Sequence, residues 1–163
     1  MGTLRLIGAC ALVASAYMIV SKYKRFLNRR IEESDSFLGL IEYLKGEISC
    51  FLSPIGALMS DYRDEVLERV GFLGGISEGK DISTAYFACE GELSVGKEAK
   101  EILGRLFSDL GKRYKAETVL ALSNAAASLS EYTNGLKNKA GEELKLCAAL
   151  VFGGAMGLLL LLL

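Results

Sequence analysis

Apolar residues run unbroken at both ends of the chain and become periodic in between. No charged residue occurs from Leu6 to Val20, and none from Leu146 to Leu163, where the sequence closes on a run of leucines. At about 1.5 Å per residue the C-terminal stretch is long enough for a helix to cross a hydrocarbon core of roughly 30 Å. The N-terminal stretch reaches that length when Met1 to Leu4 are included, with Arg5 extending to one interface and Tyr17 and Tyr23 lying in the other. The pattern predicts transmembrane helices at 1–21 and 146–163, flanking a polar domain at 22–145.

Within that domain the spacing is helical. Phe37, Ile41, Leu44, Ile48 and Phe51 recur at four- and three-residue steps and form one stripe, while Glu42, Lys45 and Glu47 fall elsewhere. This helix is expected to run straight out of the first span and stop near Leu52, because Ser53-Pro54 supplies a capping hydroxyl and a proline suited to a first helical turn. A second helix then carries Ile55, Leu58, Met59, Tyr62, Val66 and Val70, and the glycine-rich piece Gly71 to Gly79 ends it as a loop. A short helix is predicted from Asp81 through Ala85, Tyr86 and Cys89 to about Gly91. Ser94 opens the next, with Val95, Ala99, Ile102, Leu106 and Leu110 on its stripe and Gly111 in a left-handed position at its end. The last helix begins near Ala116, keeps a seven-residue repeat through Val119, Leu122, Ala126, Leu129, Thr133, Leu136, Ala140 and Leu144, and continues into the second span. Without regular Val/Ile/Thr alternation a sheet is excluded. The fold class expected is all-α: an antiparallel helical bundle between two membrane helices, the two long helices packing their seams on each other and the short ones capping the far end.

Charge sets the expected orientation. Lys22, Lys24, Arg25, Arg29 and Arg30 follow the first apolar segment with no acid before Glu32, and Lys137, Lys139 and Lys145, diluted by Glu142 and Glu143, precede the second. Short basic flanks are retained in the cytoplasm, so the domain is expected there; the basic cluster reads first as a topology determinant with no ligand, and where it has a partner that partner is the anionic inner leaflet beside the first span. A lipobox-like Ile7-Gly8-Ala9-Cys10 and a cleavage-like Ala14-Ser15-Ala16 fit poorly, because the apolar run continues past both and the basic charge lies after it. Composition adds a hydrophobic fraction of 51% and a formal net charge of -1, so nothing global points to nucleic acid.

Candidate chemistry is sparse. Gly74 to Lys80 has the form of a phosphate-binding loop, but Asp81 stands where a magnesium-holding Ser or Thr is needed, Glu78 would repel phosphate, and no buried strand precedes it. A loop between helices is the better reading. Cys10, Cys50, Cys89 and Cys147 lack metal or redox spacing, and the chain has no histidine to assist them. Glu65, Glu68, Glu98 and Glu101 lie beside Lys and Arg at helix-surface spacings and read as solvated faces. No catalytic, cofactor-binding or metal residue is expected, nor a small-molecule substrate. Gly153 and Gly157 form Gly-x-x-x-Gly, a groove for close helix approach, with Gly8, Ala9, Ala11, Ala14 and Ser15 of the first span as one candidate partner; glycine is also simply common in membrane helices.

The short N-terminal anchor with its basic flank, Glu47-Ile48 in the first helix, the Ser-Pro-opened second helix, Leu110-Gly111 ahead of a long final helix, and a Gly-rich terminal segment ending in leucines together resemble the stage III sporulation protein AB family. The resemblance covers nearly the whole chain and rests on order and spacing. Its members are similar to the cytoplasmic helical domain of the inner-membrane platform proteins of type II secretion and type IV pilus machines. It implies a non-enzymatic scaffold in the mother-cell membrane, engaging a cytosolic secretion-type ATPase and other stage III channel proteins between mother cell and forespore. It also concentrates candidate partner contacts on Glu47, which is expected to be exposed, and on the turn Leu110, Gly111, Lys112, Arg113 and Tyr114. This turn departs from the family, which places an Asp and then a Gln after Leu-Gly, so the cap of the final helix and any contact there are open. The family's middle-helix tryptophan aligns with Tyr86. The competing expectation is a membrane-anchored adaptor or sensor that dimerises through the heptad stripes and Gly153 to Gly157. A holin-like or export accessory protein rests on topology alone.

Overall fold

The computed structural model describes the backbone of residues 2–50, 55–112 and 114–162, and side chains within these except at 2–7, 9, 10 and 159–162. Phe51, the Ser53-Pro54 start signal and Arg113 lie outside the described residues, as does the side chain of Cys10. The described residues form seven α-helices and no strand: α1 Gly2–Cys50, α2 Ile55–Asp61, α3 Glu65–Arg69, α4 Phe72–Ser77, α5 Ile82–Cys89, α6 Lys97–Asp109 and α7 Lys115–Leu162. By contact the chain divides into a unit of residues 29–135 and a unit made of 1–28 with 136–163.

In the unit 29–135, α1 and α7 run antiparallel. Arg30 near one end of the α1 segment donates to Tyr132 of α7 at 2.8 Å, and Lys115 at the start of α7 donates to the Ser49 carbonyl at 3.1 Å. The predicted stripes face inward: Phe37, Ile41, Leu44 and Ile48 are buried with Leu122, Ala126, Leu129 and Thr133. The short helices close the core around Phe37. Its ring meets Phe72 edge-on with centroids 5.5 Å apart, Tyr86 edge-on at 6.2 Å and Phe107 at 6.1 Å. Such pairs add roughly 0.5–1.5 kcal/mol each beyond the area they bury. The Tyr86 hydroxyl, drawn into this core, donates to the Lys100 carbonyl at 3.0 Å, so no polar atom is stranded there. Burial first, and then the nearby Glu90 charge, hold that phenol far above its ordinary pKa.

Three expectations are corrected in this unit. The helix expected over 55–70 is broken in two: Asp64 is extended (φ -155, ψ 121) and its carboxylate accepts from the Val66 and Leu67 N–H groups at 2.9 Å each. A strong N-cap thus overrides an uninterrupted apolar stripe. The glycine-rich stretch is not a loop, because burial of Phe72 and Leu73 draws it into α4. Gly71 enters that helix at φ +83 and Gly79 leaves it at φ +86, a conformation that glycine alone adopts without strain. Third, α6 opens at Gly96 rather than Ser94. Its face is also wider than the stripe, since Leu103 and Phe107 are buried beside Val95, Ala99 and Leu106, while Ile102 and Leu110 are half-buried. Asp81 caps α5 through the Thr84 N–H, and Gly111 takes φ +88, both as the sequence predicts.

In the other unit, α1 and α7 are joined by Tyr23, whose hydroxyl donates to Glu143 at 3.1 Å, and Ala16 and Leu27 are buried. Tyr17, Met18 and Ile19 on α1, and Leu146, Leu150, Phe152, Met156 and Leu158 on α7, are exposed. Among the described residues no helix is long and apolar enough to cross a membrane. Described apolar side chains run from Ala11 to Val20 and from Leu146 to Leu158, each short of the roughly 20 residues that a span requires. The described side chains therefore give flanking helices, not the flanking spans expected from the sequence.

Candidate functional site

A glutamate that the sequence reading passed over organises the polar interior of the unit 29–135. Glu33 lies four residues before Phe37, which puts a carboxylate on the core stripe of α1, and it is 0% exposed. It accepts from Arg29 at 2.9 Å, from the Ser94 N–H at 2.6 Å and from the Val95 N–H at 3.2 Å. Those amides precede α6, whose N-cap Gly96 carries no side-chain cap, so the α1 carboxylate holds the segment that leads into the helix rather than its first turn. A negative group before the first turn is also favoured by the helix dipole. Alongside, the Tyr132 oxygen accepts from Arg30 and from the Gly96 N–H, both at 2.8 Å. Gly96 leaves room for this packing: a Cβ there would lie 2.6 Å from the Tyr132 hydroxyl and 2.7 Å from the Arg30 guanidinium, so those side-chain ends would have to shift. The arrangement is a positioning device, fixing the entry to α6 against both long helices. The signal for it was legible as a charge on an otherwise apolar stripe.

The described residues singled out by resemblance, Glu47, Leu110, Gly111, Lys112 and Tyr114, lie near the two ends joined by the Lys115–Ser49 bond. Glu47 lies two residues before Ser49, whose carbonyl takes Lys115. It is half-buried rather than exposed, and its charge, after burial itself, raises the pKa of the Tyr43 phenol on the preceding turn. Leu110 is the half-buried C-cap of α6, Gly111 turns the chain, and Lys112 donates back to the Ser108 carbonyl at 2.6 Å. Tyr114, 84% exposed, stands at the entry to α7, and the Thr118 N–H bonds its carbonyl at 2.9 Å. The turn borders an open groove of about 750 Å³ between α6 and α7, reached by the end of α5. Gly104 and Ala121 keep its floor low, and half-exposed Phe87 stands at its edge. The sequence reading did not find this groove, because its walls come from three helices whose mutual placement no single stripe encodes.

Other candidates disperse. Lys80, the would-be phosphate lysine, pairs with Glu78 at 2.8 Å just beyond α4, and its hydrogen bond holds the Glu78 carboxyl below the usual range. Cys89 is buried, its thiol pushed up to about 11 chiefly by desolvation, while Cys50 is exposed and Cys147 half-buried. Glu65, Glu68, Glu98 and Glu101 are exposed, Glu101 pairing with Arg105 at 3.5 Å. No group of potential metal ligands assembles among the described residues. Gly153 and Gly157 face open space, so their groove is not filled by α1.

The family model for stage III sporulation protein AB matches residues 5–163, nearly the whole chain, and the chain therefore belongs to that family. No curated protein and no solved structure matches it.

Proposed function

Because the chain belongs to the stage III sporulation protein AB family, we propose that it is a non-enzymatic membrane platform of a sporulation-specific, secretion-like channel complex. In this reading α1 and α7 anchor it in the mother-cell membrane around the forespore, and residues 22–145 lie in the cytoplasm. The observation that carries it is that both long-helix seams are satisfied inside one chain: Phe37, Ile41 and Leu44 share a core with Leu122, Ala126 and Leu129. A dimeric adaptor would need those seams for its partner, whereas a platform keeps them internal and offers its outer surface. The surface it offers to a cytosolic secretion-type ATPase is the turn Leu110 to Tyr114 with the adjoining α6–α7 groove, where an exposed tyrosine and a half-exposed phenylalanine stand beside a concave face.

The test is cross-linking in sporulating cells, followed by purification of the full-length protein and identification of its neighbours by mass spectrometry. Recovery of a secretion-type ATPase with other stage III channel proteins supports the platform. Capture of only a second copy and a signalling protein gives the adaptor reading its place.

A further inference from the structure

We infer that the unit of residues 1–28 and 136–163 carries a basic collar that binds the headgroups of anionic phospholipids, at a level fixed by the bond between Tyr23 and Glu143. This rests on the membrane reading above and names the lipid class that the membrane must present. On α1, Lys22, Lys24 and Arg25 are exposed, and on α7 so are Lys139 and Lys145. Four of these five cations stand directly in line with an exposed apolar side chain one heptad away. Lys24 follows Tyr17 by seven residues and Arg25 follows Met18; Lys139 precedes Leu146 by seven and Lys145 precedes Phe152. Seven residues is about two helical turns, so every such pair shares a face and sits roughly 10 Å apart along the axis.

The Tyr23–Glu143 bond at 3.1 Å sets the two helices in register. From that bond, charge gives way to apolar surface towards lower numbers in α1 and towards higher numbers in α7, which is one direction for an antiparallel pair. The boundary between charge and apolar surface therefore falls at one level on both helices. The carboxylates at that level are Glu142 and Glu143, and Glu143 is engaged by Tyr23. The surplus is positive. A soluble acidic partner would meet the cations and leave the apolar half exposed. A phospholipid meets both, its phosphate on the lysines and its acyl chains on Tyr17, Met18, Leu146 and Phe152.

The test reconstitutes the detergent-purified full chain in vesicles of equal phosphatidylglycerol and phosphatidylcholine, with spin-labelled lipid of each class reporting the protein-bound boundary. Carbonate washing first scores insertion. The expected result is enrichment of phosphatidylglycerol at the boundary by about fivefold, the factor that one basic residue near a charged surface supplies. It should fall towards onefold in a variant carrying K22Q, K24Q, R25Q, K139Q and K145Q, and be kept when the four lysines become arginine. Raising the salt to 0.5 M should weaken it. Insertion of both wild type and the glutamine variant with equal lipid use overturns the collar and leaves the membrane reading standing, the basic flank then serving topology alone. Failure of the wild type to insert overturns both.

Discussion

Glu33 accepts a hydrogen bond from the Ser94 N–H at 2.6 Å, across 61 positions of sequence, and so joins α1 to the entry of α6. Removing its side chain leaves the Ser94 and Val95 amides without an acceptor, each costing about 1–3 kcal/mol, whereas Arg29 is half in solvent and relaxes freely. Glu33→Ala should therefore destabilise the full chain by about 3 kcal/mol. Glu33→Gln, which keeps one carbonyl for the amides but loses the charge, should cost about half of that. Thermal unfolding in detergent followed by circular dichroism gives the order. Equal losses for the two variants would show that the charge, lost in both, rather than the acceptor matters.

Gly96 and Tyr132 are coupled through one oxygen. Gly96→Ala brings a Cβ against that hydroxyl and the Arg30 guanidinium and should cost about 2 kcal/mol, while Tyr132→Phe strips an acceptor from the Gly96 N–H and should cost about 1 kcal/mol. The double variant should lose less than the sum, because the phenylalanine removes one of the atoms with which the new methyl collides. Strict additivity would mean that the clash with Arg30 alone decides the cost.

The long helices were legible because burial follows simple periods. Phe37 to Ile48 and Leu122 to Thr133 need only a 3.6-residue repeat to be found, and Gly111 needs only its position after an apolar stripe. What escaped is what depends on contacts distant in sequence. Asp64 breaks a stripe through two local hydrogen bonds that compete with helix continuation. Ser94 has the residue type of a cap, yet its amide is taken by Glu33 from another helix, and α6 starts past Gly96 without a side-chain cap. The groove beside Leu110 needs three helices in place, and the half-burial of Glu47 follows from no stripe of its own helix.

Thiol reactivity should separate two cysteines by burial. Cys89 is enclosed by the core and donates to the Tyr86 carbonyl at 3.2 Å, while Cys50 is exposed. With iodoacetamide at pH 8 and mass mapping of the full chain, Cys50 should be modified and Cys89 spared until the protein unfolds. The folded Cys89 thiol titrates near 11 against 9.0 when unperturbed. A raised pKa means the protonated form favours the folded state, so its contribution is complete below pH 9 and is lost as the pH climbs through about 11. Modification of Cys89 at pH 8 as fast as Cys50 would refute the burial argument.

The turn between α6 and α7 is where binding and stability can be told apart. Tyr114 is 84% exposed, so its truncation removes little from the folded chain but takes away the aromatic most available to a partner. Gly111 is the reverse case: at φ +88 an alanine is strained by about 1 kcal/mol while no side chain is taken from the surface. In the cross-linking assay Tyr114→Ala should lower ATPase capture by tenfold or more with melting unchanged, since an aromatic anchor is worth about 2 kcal/mol or above. Gly111→Ala should lower the melting temperature and reduce capture only as far as it tilts the turn. If Tyr114→Ala captures the ATPase as well as wild type does, the turn is not the contact, and substitution of Phe87 at the edge of the groove becomes the measurement that locates it.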